Sequence, residues 1–185
     1  MDLREIKEFL RDAGIYIITI AVLAFILVFV VSFQPIAGNS MYPNLEEGNV
    51  VVVSKFSYNF IKPKRNDIVV AKVNGKLYVK RVIGLPGEDI KYLKNVLYIN
   101  DQPYKEDFLG EGIETSGFTL DDICKEGECP NGKIPEDKYL LMGDNRPESE
   151  DSRTSTFGLV EKGNIKGRVL FRVWPLSSFG KIDKN

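Results

Sequence analysis

The chain has 185 residues, a net charge of −1, two cysteines and no histidine. This balanced charge gives no sign of a nucleic-acid partner, which would require clustered Lys and Arg. A chain without histidine cannot use Ser-His-Asp or Cys-His catalysis, and it lacks the commonest transition-metal ligand. Since two cysteines alone cannot complete a structural zinc site, the sequence predicts no metal and no cofactor.

The first 33 residues of the chain begin with a charged segment and continue with a long apolar one. Residues 1–14 predict a cytoplasmic segment with apolar side chains at helical spacing. No residue of 15–33 is charged, and as a helix this stretch would be about 28 Å long, close to the hydrocarbon thickness of a bilayer. The sequence therefore predicts one N-terminal transmembrane helix at 15–33.

The alternative for this segment is a signal peptide that is removed. Cleavage requires small residues at −1 and −3, and the possible sites would put Pro35 or Ile36 at −3. An uncleaved anchor is therefore the preferred interpretation. Three cations precede the span, whereas none follows it until Lys55. This asymmetry predicts a single-pass protein of the plasma membrane with a cytoplasmic N-terminus and an extracytoplasmic domain.

Residues 34–185 are predicted to form that domain, which has a mainly antiparallel β pattern. Short apolar runs predict strands, and Asn74-Gly75 between two of them is a strong hairpin signal. Residues 101–137 are acidic and glycine-rich, and they predict an inserted, loop-rich lobe. The predicted strands are Val50–Phe56, Asp67–Val73, Leu77–Ile83, Ile90–Leu93, Val96–Ile99, Lys138–Met142 and Gly167–Trp174.

The two cysteines lie close together in the predicted lobe. Cys124 and Cys129 bracket a short polar segment, which a disulfide would close into a small loop. Two free thiols are equally compatible with the sequence. A redox Cys-x-x-Cys pair would need closer spacing, so catalysis by these cysteines is not expected.

Ser40 follows the apolar segment closely, within the polar stretch Gly38-Asn39-Ser40-Met41-Tyr42-Pro43. A serine hydroxyl needs a base to take its proton, and without histidine a neutral lysine can serve. Lys80 stands inside a predicted strand on the same face as Tyr78 and Val82. Burial there would lower its pKa, as a lysine base requires. The same position also suits a lysine that protects an edge strand from aggregation.

A third polar cluster follows the strand that ends at Met142. It runs from Gly143 to Arg153 and is dense in turn formers and charged residues. On its own, this pattern is typical of a surface loop held by Asx turns and local ion pairs.

Taken together and in this order, the three stretches resemble the bacterial type I signal peptidases. Ser40-Met41-Tyr42-Pro43 is similar to the nucleophile motif of that family, and Arg65-Asn66-Asp67-Ile68-Val69-Val70 to the strand motif that follows it. Tyr78 to Glu88 is similar to the lysine motif along its whole length. Gly143-Asp144-Asn145-Arg146, with the residues up to Arg153, is similar to the last motif.

The resemblance implies a role for each matching residue. Ser40 would be the nucleophile, Lys80 the general base, and Ser149 the hydroxyl that orients the lysine. Asp151 and Arg153 would form a supporting ion pair, and Asp144 would be a structural acid. The residues that match the substrate pockets of the family are Ile36, Met41, Leu45, Tyr78 and Val79.

The oxyanion hole is where the sequence departs from some members of the family. The backbone N–H of Ser40 would be one donor. Some members have a hydroxyl residue two positions before the nucleophile, where this chain has Gly38. Because one such donor is worth about 3 kcal/mol, another group is expected to replace it.

The implied activity is removal of N-terminal signal peptides from secreted preproteins, after small residues at −1 and −3. The implied surroundings are the lipid bilayer and a nearby secretion translocon. Two alternatives remain open: a self-cleaving Ser-Lys repressor-type protease, and a catalytically inactive membrane-anchored scaffold. The apolar span argues against the first, and the joint presence of Ser40, Lys80 and Ser149 argues against the second.

Overall fold

The computed structural model describes residues 3–182, and their fold is mainly antiparallel β, as predicted. Two sheets account for the strands of the described residues. The larger has seven strands in the order β1-β2-β11-β3-β4-β9-β10. Its members are β1 (Val31–Pro35), β2 (Val50–Ser54), β3 (Ile68–Val73), β4 (Lys76–Gly84), β9 (Lys138–Met142), β10 (Val160–Glu161) and β11 (Ile165–Trp174).

The smaller sheet has four strands in the order β7-β6-β5-β8 within the described chain. They are β5 (Ile90–Leu93), β6 (Val96–Ile99), β7 (Gln102–Tyr104) and β8 (Phe118–Thr119). The region predicted as a lobe, 101–137, thus contributes β7 and β8 to this sheet. It also contains a short helix, Leu120–Ile123, and a disulfide between Cys124 and Cys129. Of the two possibilities that the sequence left open for Cys124 and Cys129, a disulfide or two free thiols, the structure shows the disulfide.

The central hairpin shows why the local sequence folds as it does. Asn74 and Gly75 both have positive φ, 49° and 82°, as the two-residue turn of a hairpin requires. β3 and β4 consequently pair along their length, and Val69 stands opposite Lys80. The first four residues of β3 are buried on both faces, because Ile68 and Val70 pack in one apolar cluster and Val69 and Ala71 in another.

The N-terminal segment differs from the predicted uninterrupted span. Helix α1 runs from Leu3 to Phe25, and a π-helical turn, Ile26–Val30, leads into β1. Pairing with β2 draws Val31 and its successors into the sheet, and the Lys55 N–H donates to the Val30 carbonyl over 2.9 Å. In the described part of the chain, no helix is long and apolar enough to cross a membrane. The anchor predicted at 15–33 is therefore not confirmed, and Met1 and Asp2 lie outside the described residues.

Candidate active site

Ser40 lies in the turn that follows edge strand β1. The Tyr42 N–H donates to the Asn39 carbonyl over 3.0 Å, which closes the turn around Ser40. Two donors of Asn145 hold this turn from the other side. Its backbone N–H binds the Ser40 carbonyl and its side-chain amide binds the Asn39 carbonyl, both over 3.1 Å. The first and third polar stretches of the sequence are thus in direct contact.

Lys80 lies in β4 opposite Val69 of β3, and its residue is only 1% exposed, so it is covered by the rest of the domain. An edge-protecting role is therefore excluded. Burial lowers the pKa of Lys80 from 10.5 to about 8, against the opposing influence of Asp151 and Glu150. The ammonium nitrogen lies 5.9 Å from the ring centre of Tyr78, its neighbour on the same face. With a pKa of about 8, Lys80 is neutral in about half of the molecules at pH 8, as a lysine base must be.

Gly143 is the point where the predicted site residues meet. Arg81 pairs with Met142 across β4 and β9, so the next position of the register sets Gly143 opposite Lys80. A Cβ at residue 143 would stand 2.2 Å from the Ser149 Oγ and 2.3 Å from the Ser40 carbonyl oxygen. Only glycine leaves room for this approach. Ser40 and Ser149, far apart in sequence, therefore approach one backbone position, which lies across from Lys80 if the β4–β9 register is continued by one residue.

Asp151 secures the loop that carries Gly143. Its carboxylate accepts the Gly143 N–H over 2.9 Å and two N–H groups of Arg153, each over 2.8 Å. Burial alone would raise the pKa of Asp151, but the hydrogen bonds and charge of Arg153, with help from Gly143 and Ser149, lower it below its usual value. The Ser149 Oγ is buried close to Asp151, and it makes no hydrogen bond of normal geometry in the described part of the chain.

Asp144 belongs to a second buried ion pair. Arg81 donates to both of its carboxylate oxygens, over 2.8 and 2.6 Å, and the Asn44 amide donates to one of them over 2.8 Å. Both charged side chains are at most 1% exposed. The predicted structural acid is thus tied to the strand that carries Lys80, through its neighbour Arg81.

A small cleft of about 100 Å³ opens beside Ser40. One wall comes from β1 and the turn after it, and the other from β4. The predicted pocket residues Ile36, Met41, Tyr78 and Val79 line it, whereas Leu45 is fully buried in the apolar cluster with Ile36 and Met41. The lining residues that the prediction omitted are Gln34, Pro35, Ala37 and Leu77.

The sequence analysis missed one further buried charge pair, Arg146 with Glu106. The guanidinium of Arg146 also donates to the Gly143 carbonyl over 3.1 Å and to the Thr115 hydroxyl over 3.0 Å. This pair joins the 143–153 loop to the region 101–137. Arg146 stands in a recognised motif, but nothing local in the sequence identifies its partner, which is 40 positions away.

Comparison with known proteins identifies the chain. Residues 7–174 match the family described as "Signal peptidase, peptidase S26". Signal peptidase I of Bacillus caldolyticus is 40% identical over 173 residues, and signal peptidase IB of Staphylococcus aureus is 37% identical over 177. Each alignment covers 89% of this chain and 91% of the relative.

A crystal structure of a signal peptidase I from Enterococcus faecalis superposes with a TM-score of 0.50 at 35% identity. The match covers 58% of this chain and 97% of that one. These similarities define the protein as a hydrolase of the peptidase class. The chain belongs to the signal peptidase family, peptidase S26.

Proposed function

We propose that the protein is a membrane-anchored serine endopeptidase in which Ser40 is the nucleophile and Lys80 the general base. The family implies cleavage of signal peptides from preproteins. The observation that carries the assignment of the base is the burial of Lys80 in β4, where it is 1% exposed and its pKa is lowered to about 8. The strand that carries this lysine also forms a wall of the cleft at Ser40.

In the proposed reaction, neutral Lys80 takes the Ser40 hydroxyl proton as the Ser40 Oγ attacks the scissile carbonyl. The backbone N–H of Ser40 stabilises the oxyanion, and backbone or water supplies the second donor because Gly38 has no side chain. The Lys80 ammonium then protonates the leaving amine, which frees the mature protein. Neutral again, Lys80 deprotonates a water that hydrolyses the acyl-enzyme and releases the signal peptide.

Ser149, Asp151, Arg153 and Asp144 act as supporting residues in this proposal. The Ser149 hydroxyl orients the lysine. Asp151, neutralised by bidentate Arg153, holds the Gly143 backbone in place. Asp144 fixes the start of the same loop to β4 through Arg81.

Substrate binding as an added strand is supported by an open backbone edge. From Lys76 to Lys80, β4 pairs with β3 on one side, and no strand of the described chain pairs with its other side. An extended peptide placed there would point alternate side chains into the cleft. The pocket residues of this proposal are Ile36, Met41, Tyr78 and Val79, with Leu45 forming the floor beneath them.

Anchoring through the apolar part of α1, which begins at Ile15, forms part of the proposal. The apolar side chains of this part of α1 are exposed, for example Ile17 at 66% and Leu23 at 56%, which lipid would cover at no hydrophobic cost. With Arg4, Lys7 and Arg11 on the cytoplasmic side, the catalytic domain lies on the outer face of the plasma membrane. Preproteins reach it there from a nearby translocon.

The experiment that tests the proposed specificity uses purified protein in detergent and one preprotein with Ala at −1 and −3. Sequencing of the new N-terminus is expected to show cleavage after that Ala. Leu at −1 is expected to lower kcat/KM by about 100-fold, because the small cleft excludes bulk. The control is the same change at −2. Equal cleavage of the Ala and Leu preproteins would contradict the proposal.

The dependence of kcat/KM on pH tests the lysine base. Only neutral Lys80 can accept the serine proton, and its pKa is about 8. We therefore expect kcat/KM to rise about tenfold per pH unit up to that pKa and to level off above it. Initial rates from pH 6 to pH 9.5 measure this, with the fold monitored by circular dichroism. A flat profile, or a midpoint near pH 6, would exclude Lys80 as the base.

A further inference from the structure

Ion pairs hold the 143–153 loop in the domain, and one of them has no role so far. In the described part of the chain, the pairs of this loop are Arg81–Asp144, Arg153–Asp151 and Arg146–Glu106. The first two belong to the supporting residues of the proposed function. Glu106 comes from the region 101–137, which the sequence predicted as an inserted lobe, so its pair brings that lobe to the loop that carries Ser149.

The guanidinium of Arg146 is fixed by a buried polar cluster. Its two terminal nitrogens bind the two carboxylate oxygens of Glu106. One of them also donates to the Tyr92 hydroxyl over 3.2 Å and to the Thr115 hydroxyl over 3.0 Å. The side chain of Arg146 is 0% exposed and that of Glu106 is 4% exposed. Any other orientation of Arg146 would leave a buried carboxylate without its partner, which is strongly unfavourable.

The third nitrogen of Arg146, Nε, faces the backbone of the loop. It donates to the Gly143 carbonyl over 3.1 Å, while the Gly143 N–H donates to Asp151 over 2.9 Å. Gly143 is buried and lies just beyond the end of β9. Two charged side chains therefore hold the two polar backbone groups of this residue, one on each side.

A shift of the Gly143 backbone would be felt by the proposed catalytic residues. A Cβ at residue 143 would overlap the Ser149 Oγ and the Ser40 carbonyl oxygen, so the backbone here packs closely against both serines. In the proposed reaction, the Ser149 hydroxyl orients Lys80. A misplacement of about 1 Å in such a supporting element can lower a rate about 100-fold.

We propose that Glu106 is a positioning residue of the active site, which acts through the Arg146 guanidinium on the Gly143 carbonyl. Glu106 is not part of the lining of the Ser40 cleft. It holds Arg146, which holds the Gly143 backbone, and this backbone sets the position of Ser149 relative to Ser40. The inference rests on the proposed function, because it requires the roles assigned there to the two serines. It makes the predicted lobe a part of the catalytic apparatus.

The test uses the full-length protein in detergent and a peptide with Ala at −1 and −3, and it removes the pair as a whole. Glu106→Met alone is expected to lower Tm by about 10 °C, because the Arg146 charge stays buried without its partner. Glu106→Met/Arg146→Met replaces the pair by apolar side chains and is expected to recover at least half of that loss. Its kcat is expected to stay about 100-fold below that of the wild type. KM should change less than threefold, because the pair does not line the Ser40 cleft.

The matched control is Glu128→Met/Lys138→Met. This pair also joins the predicted lobe to β9, but at the first residue of the strand, remote from Gly143. Both kcat and KM of the control are expected to equal those of the wild type. Glu106→Gln is a milder variant that keeps the size of the side chain and loses one of the two oxygens that bind Arg146. It is expected to lower kcat about tenfold at unchanged KM.

Wild-type kcat in a double variant with recovered stability would overturn the inference, because the pair would then serve the fold alone. If the methionine variants do not fold, wild-type kcat in Glu106→Gln has the same consequence. A rise in KM at constant kcat, or an equal loss of kcat in the control, would also overturn it. These results leave the proposed function intact, whereas cleavage that survives Ser40→Ala would overturn both.

Discussion

Replacing Lys80 with methionine is expected to lower kcat about 10⁴-fold and, at pH 7, to make the folded domain more stable. The loss follows because Ser40 would have no base. The gain follows because the wild type buries a charged ammonium below pH 8, whereas methionine fills similar space without a charge. Catalysis and stability thus make opposite demands on this position.

The size and pH range of the gain follow from the pKa. In the folded chain the pKa of Lys80 is about 8, against 10.5 in the unfolded chain. Between these values the unfolded state binds more protons, so the free energy of unfolding of the wild type rises with pH. At pH 7 the buried charge destabilises the wild type by about 3 kcal/mol, or about 6–12 °C in Tm. The advantage of the variant should shrink above pH 8 and disappear near pH 10.5.

Thermal melts from pH 6 to pH 10.5 and peptide cleavage measure the two effects. Ser40→Ala is the companion variant: it should lose cleavage equally without the pH-dependent gain in stability. Lys72→Met, at an exposed position on β3, is the control for removing a lysine and should change neither quantity. If the Lys80→Met protein is less stable than the wild type at pH 6, then burial of the charged ammonium does not destabilise the wild type, and the prediction is wrong.

Removal of Arg81 is expected to destabilise the domain by about 3–5 kcal/mol. Arg81→Met would remove both guanidinium contacts from the buried Asp144 carboxylate. Of the side-chain contacts described here, it would keep the Asn44 amide. Removing one partner of a buried ion pair lowers the free energy of unfolding much more than replacing both partners by apolar groups, because it leaves an uncompensated charge in the interior. Because the same carboxylate fixes the loop of Gly143 and Ser149, cleavage should fall together with stability.

The double variant Arg81→Met/Asp144→Asn separates charge from packing. Neutralising Asp144 should restore at least half of the lost stability, measured as the free energy of unfolding in urea. Lys105→Met is the surface control, since its ion pair with Asp107 is exposed and should contribute less than about 0.5 kcal/mol. If the double variant is no more stable than Arg81→Met, the burial of charge is not what makes Arg81 necessary.

Much of the sheet could be predicted because its signals are local. Asn74-Gly75 adopts the positive φ angles that a tight hairpin needs, and the strands on either side follow from that turn. The start of β1 could not be predicted, because an apolar run rich in β-branched residues reads equally as a buried helix or a strand. Only pairing with β2, which is not a local property, decides for a strand from Val31.

The candidate site shows the same division between local and non-local information. Lys80 was identifiable as a buried lysine in a strand, but a single strand does not reveal whether it lies at the edge of its sheet. Only the folded structure shows that Lys80 is buried, at 1% exposed, and so cannot be a lysine that protects a solvent-exposed edge. Likewise, nothing in the local sequence connects Arg146 with Glu106, which meet only because the 143–153 loop packs on the smaller sheet.

The direct continuation of the N-terminal segment into β1 has a geometric consequence for the proposed anchor. The chain enters the sheet at Val31, pinned by the contact between Lys55 and Val30, and reaches Ser40 after the five residues of β1 and one turn. A five-residue strand spans about 17 Å. Because β1 follows the N-terminal segment directly and is paired with β2, the distance between the proposed anchor and Ser40 is nearly fixed. With such an anchor, the enzyme would cut at a fixed distance from the membrane surface. A preprotein is then cut where its own chain emerges by that fixed distance from the membrane, and the length of its apolar segment helps to choose the bond.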